Sequence, residues 1–170
     1  MKILLTLVIE IIVAIAAGLA FIYSGIYDVS AMRPEGKFSG WILSTTMDYS
    51  VKHHAKGITV PPLTDTATVA AGFQSFSRMC VGCHGAPGVQ KRGRGFNPEP
   101  PDLSEGVSDL SDAEIFWIIK NGIKMTAMPA YGPNKTDDDL WKITAFVRLL
   151  PKMTTEQYQA YKDALGDQPE

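Results

Sequence analysis

Between Ile3 and Tyr23 almost every position is aliphatic or aromatic, whereas after Arg33 apolar and polar residues intermingle as in an ordinary soluble protein. A stretch of about 20 apolar residues crosses a ~30 Å hydrocarbon layer at 1.5 Å per residue, while the apolar region of a secretory signal is roughly 7–15 residues long. Lys2 ahead of the run, with Gly18 and Ala20 as small residues, also fits a signal cut after Ala20. Length favours a retained membrane anchor over residues 1–28. Glu10 interrupts the run: it either faces another helix or reaches toward the head groups.

Arg33-Pro34-Glu35-Gly36 breaks the apolar run, and residues 29–65 read as a connecting segment. Within it, Gly40 to Ala55 predicts a helix bearing Trp41, Ile42, Leu43, Met47, Tyr49 and Val51, without one clean apolar stripe. Such a helix lies on a membrane surface, docks on a partner, or packs as a spacer on the following domain. His53 and His54 are adjacent and point about 100° apart on a helix, which predicts solvent-facing rings rather than a shared metal. Gly57, Pro61 and Pro62 then end any helix between Lys56 and Asp65.

A compact unit is expected over residues 66–151. Ser111 followed by Glu114 is a capping-box signature that starts a helix running to Asn121, with Gly122 as its stop. Asp137, Asp138 and Asp139 suit the N-terminus of another helix reaching Leu150. Residues 152–170 form a tail that is expected to be partly helical.

The chain has 170 residues with a net charge of −2, a balance that gives no electrostatic footprint for nucleic acid. A unit of under 100 residues has a marginal core of its own, so a bound cofactor would supply much of the missing apolar contact. The only two cysteines stand in Cys80-Val81-Gly82-Cys83-His84, the spacing of covalent c-type haem attachment with His84 as the iron's proximal ligand. A redox Cys-x-x-Cys, half of a zinc site and a structural disulfide share part of this pattern. Zinc would need further ligands where only His53 and His54 remain, and no βαβ pattern accompanies the motif as a thioredoxin-like site requires.

A sixth ligand to the iron is sought among Met125, Met128, Met153 and the distant His53 and His54. Met128 precedes Pro129 in Met-Pro-Ala-Tyr-Gly, between Gly122 and Gly132, where an extended strand can present a thioether free of helical constraint. Met125 is the second candidate. In other settings a methionine is core filler.

On these residues, the stretch from Thr66 to Pro151 resembles the class I cytochromes c, in particular the membrane-anchored bacterial kind with one haem. The resemblance covers about half the chain. It implies an all-α fold, three or more helices wrapped around one haem c, here preceded by an N-terminal transmembrane helix and a short connecting helix. It also implies a crossing of the first and last helices, for which Gly72 and Phe76 stand ready on one side and Trp141, Ala145 and Phe146 on the other. Trp117 and Ile118 are expected near the haem edge, and the carbonyl of Pro100 or Pro101 is expected to accept a hydrogen bond from His84. Lys91, Arg92 and Arg94 would meet haem propionates or an acidic redox partner, or simply form a solvated loop.

The expected role is single-electron transfer through one covalent haem held by Cys80 and Cys83 and ligated by His84 and Met128, not enzymatic catalysis. A respiratory or photosynthetic chain is the expected setting, with redox proteins or an integral membrane complex as partners. The positive-inside rule is weak here, since Lys2 precedes the apolar run and Arg33 and Lys37 follow it. Bacterial haem attachment takes place outside the cytoplasmic membrane, so the resemblance implies a single-pass inner-membrane protein with a periplasmic haem domain. An open or displaceable sixth position would instead make a haem enzyme or gas sensor, and a fixed wire within a complex would make the chain chiefly structural.

Overall fold

The computed structural model describes residues 1–92, 95–105, 107 and 109–165; Gly93, Arg94, Gly106, Ser108 and the last five residues lie outside them. It divides into two units, Met1–Arg33 and Pro34–Glu170.

The first unit is helix α1, Lys2–Tyr23, followed by a short turn in which Arg33 pairs with Asp28 at 3.0 Å. None of its 22 residues is buried, and it is long and apolar enough to cross a membrane.

The second unit is all-helical among the described residues, with one isolated bridge between Ala86 and Val89. Its helices are α2 (Lys37–Ala55), α3 (Thr66–Met79), α4 (Val81–His84), α5 (Asp112–Asn121), α6 (Asp137–Leu149) and α7 (Thr155–Leu165). Helix α2 starts three residues before the predicted Gly40, because extended Gly36 serves as its N-cap and Ser39 Oγ bonds the Glu35 carboxylate across the first turn. The predicted capping box of α5 is present, with Ser111 and Glu114 satisfying each other's backbone N–H groups. Helix α6 has a second one, between Thr136 and Asp139. Pro151, which has no N–H to donate, tightens its end into a 3-10 turn over Leu150–Lys152.

The core forms where α3 crosses α6. A Cβ on Gly72 would stand 2.0 Å from the Lys142 carbonyl oxygen and 2.9 Å from Phe146 Cβ, so only glycine allows this approach. Phe73, Phe76, Phe146, Leu140 and Ile143 are fully buried around the crossing, and Tyr158 and Tyr161 of α7 bring their rings within 5.7 Å of Phe73. Trp141 faces the other way and stacks on Phe116 of α5 at 4.0 Å.

Val51 and Ala55 close the C-terminal end of α2 inside this unit, where α2 packs on α5. The histidines remain exposed, as expected, though the ring of His54 lies 5.5 Å from that of Trp117. Ile58 and Leu63 of the connecting stretch are half-buried against the core. Arg148 of α6 ties down the loop ahead of α5: it pairs with Asp112 at 2.6 Å and donates to the carbonyls of Val107, at 3.1 Å, and Leu110.

Candidate haem site

The amide N–H groups of Cys83 and His84 both bond the Cys80 carbonyl, at 3.1 and 3.0 Å, so the motif winds into one helical turn. Residues three and four positions apart share a helix face, which puts Cys80, Cys83 and His84 on one side of the turn. The two thiols are free of each other, as thioether attachment requires. Cys80 is 8% exposed, and burial, with Cys83 beside it, pushes its thiol up to about 12 despite the attraction of Lys135. Cys83 and His84 are half-buried at the edge of the core.

His84 Nδ1 lies 2.8 Å from the carbonyl oxygen of Pro101. A carbonyl can only accept, so Nδ1 carries the proton and the Nε2 lone pair is left for a metal. The neighbouring Pro100 carbonyl is engaged otherwise: it accepts from Lys91 Nζ at 3.1 Å, and the same ammonium pairs with Glu99 at 3.0 Å. Lys91 therefore braces the loop that carries Pro101. Arg92 is exposed, and Arg94, the third member of the basic cluster, lies outside the described residues.

The two candidate methionines differ sharply. Met125 is 89% exposed and sits at φ 58°, a left-handed conformation unusual for a side chain of this size. Met128 is half-buried and packs against the core. Its loop is held at several points: Met128 N–H donates to Thr126 Oγ1, whose hydroxyl donates to the Ile123 carbonyl, and the Met128 carbonyl accepts from Ile123 N–H. Gly122, at φ 66°, makes the approach possible, since a Cβ there would stand 2.7 Å from the Met128 carbonyl oxygen. Met153 packs against the core on the far side of the 3-10 turn.

Sequence reasoning missed Tyr131. Its hydroxyl donates to the Met79 carbonyl at 3.3 Å, joining the methionine loop to the residue just ahead of the cysteine motif. Burial raises its phenol, and the charges of Cys80 and Cys83 raise it further. Its place in Met-Pro-Ala-Tyr-Gly, three residues past Met128, was the available signal.

The donor set suits a haem: two unlinked thiols and a tautomer-fixed imidazole on one face, with a thioether presented by a braced loop. It does not suit zinc. Among the described residues no group of three or more His, Cys, Asp or Glu is placed to hold a metal ion.

Residues 67–147 match the family model of subunit III of the cbb3-type cytochrome c oxidase. Among solved structures, the chain is similar to a chain from a reducing HAO-like protein complex of Kuenenia stuttgartiensis, with 24% identity and a TM-score of 0.43. That match covers 55% of this chain and 47% of the other, so it spans about half of the solved chain's length. No curated protein matches the chain.

Proposed function

We propose that this chain, whose residues 67–147 are a c-type cytochrome domain of class I fold with covalently bound haem c, is a membrane-tethered one-haem electron carrier. When bound, haem supplies an iron that gains and loses one electron. Cys80 and Cys83 hold its vinyl side chains as thioethers. His84 Nε2 is the proximal donor, and the Pro101 carbonyl fixes its tautomer and raises its basicity. Met128 is the distal donor. With His84 and Met128 as its two protein donors, a bound haem would favour the reduced state relative to one held by two imidazoles. Both donors sit on segments braced by backbone and side-chain hydrogen bonds, so little rearrangement accompanies a change of oxidation state.

The observation that carries the ligand assignment is the contrast between Met128, half-buried and packed on the core, and Met125, 89% exposed. Helix α1, long and apolar enough to span a bilayer, supports a single-pass anchor. Haem attachment outside the bacterial cytoplasmic membrane then argues for a periplasmic haem domain. A tethered domain meets a membrane-bound redox protein at high effective concentration, which favours service in a respiratory or photosynthetic chain, alone or as a subunit.

The test is a pyridine haemochrome assay on the purified chain, with intact-mass measurement. One haem per chain with a c-type spectrum is the expected result. A chain of unmodified mass that yields its haem to acid solvent extraction would overturn the proposal.

A further inference from the structure

Helix α2 has two unlike faces. The face bearing Val51 and Ala55 is buried against α5. On the other side, Phe38, Trp41, Ile42, Thr45 and Tyr49 recur at helical spacing, and Phe38, Trp41 and Tyr49 are 74%, 61% and 72% exposed. Phe38 and Trp41 stack on each other at 6.2 Å and touch no other ring among the described residues. Toward the C-terminal end the same face continues with Lys52, His53 and Lys56, while Asp48 sits at its border.

We propose that this aromatic face of α2 is a membrane-contact surface, seated at the lipid–water boundary with its lysines toward phosphate. The proposal rests on the reading of α1 as a membrane anchor. Three observations favour lipid over a protein groove. The face is continuous along the chain with α1: the thirteen residues 24–36 between them reach at most ~45 Å when fully extended, so the face is never far from a bilayer that holds α1. Trp and Tyr are the residues that settle at head-group level, with ring bodies in the acyl boundary and polar tips in water. The charge on the face is basic, as for helices that lie in the interface plane. Seating α2 in this way would hold α5, on which it packs, at a set height over the membrane.

The test uses the full holo-chain, one copy per lipid nanodisc, with Trp41 replaced by benzoylphenylalanine; a second preparation carries the same group at Ile12 of α1. After irradiation, peptide mass spectrometry reads what each position has captured. The expected result is a lipid adduct at position 41 in about half or more of the yield at position 12, in keeping with a face sunk ~5–10 Å into the boundary layer. An adduct at position 12 with none at 41, or capture at 41 of the disc's scaffold protein only, would overturn the seating of α2. Absence of lipid at both positions would overturn the anchor reading itself and the seating with it.

Discussion

The imidazole Nδ1 of His84 donates to the carbonyl oxygen of Pro101 at 2.8 Å, while the adjacent carbonyl, that of Pro100, is taken up by Lys91. The loop is thus fastened twice, and only one fastening reaches His84. Lys91→Met removes the outer fastening and leaves both prolines in place. Covalent haem is expected to persist in this variant. A weaker hydrogen bond from His84 makes the imidazole less electron-rich and favours ferrous iron, so the midpoint potential should rise by roughly 20–60 mV, where 59 mV is a tenfold change for one electron. Potentiometric titration checks this; an unchanged potential would mean that Pro101 is held without Lys91.

Two glycines should respond in opposite directions. Gly72→Ala drives a Cβ into the Lys142 carbonyl at the helix crossing and should cost about 3 kcal/mol or more, read as a lower denaturant midpoint of the holo-chain. Gly40→Ala places a methyl in ordinary contact with Glu35 Cβ at 3.6 Å on α2 and should stabilise by up to about 1 kcal/mol.

Arg148 makes three bonds, to Asp112 and to the carbonyls of Val107 and Leu110. Arg148→Met keeps the stem and removes the donors. A loss of about 2–3 kcal/mol is expected in chemical denaturation, with the absorption spectrum of the haem unchanged.

Glu114 is nearly buried, and its carboxylate is held below the usual glutamate range by the backbone N–H of Ser111 and then by the Ser111 hydroxyl. Its folded-state value is therefore lower than its unfolded one. The stability it contributes is fully present above the ordinary glutamate range and is lost as pH falls through the lowered folded value. Ser111→Ala should cost about 0.5–2 kcal/mol near neutral pH and should flatten the acid limb of the stability curve between about pH 3 and 6. Denaturant midpoints taken across that range give the comparison; an acid limb as steep as the parent's would assign the pH dependence to the backbone N–H at position 111, which alanine keeps, or to other carboxylates.

Helices with their own punctuation were legible in the chain. Ser111 and Glu114 announce α5, while the close crossing of Gly72 with the strip of α6 that contains Phe146 was an implication of the family resemblance. The start of α6 at Asp137 is legible from its run of aspartates, although the cap that fixes it is Thr136. Helix α7 was foreseen only as a partly helical tail. Tyr158, Tyr161 and Leu165 lie at helical spacing, but a sequence does not disclose that their counterpart is Phe73, more than eighty positions away. The proline question was open for a related reason: the acceptor is a backbone carbonyl, which every residue has, and only the folded loop distinguishes Pro101 from Pro100. The braces around Met128 are likewise mostly backbone groups, together with the Tyr131 hydroxyl reaching Met79.

The proposed role of Met128 as an iron donor is tested most directly by the visible spectrum of the oxidised chain. Met128→Ala should lose the weak methionine-to-iron charge-transfer band while keeping covalent haem, and Met125→Ala should keep both. Retention of the band in Met128→Ala, or its loss in Met125→Ala, would contradict the assignment.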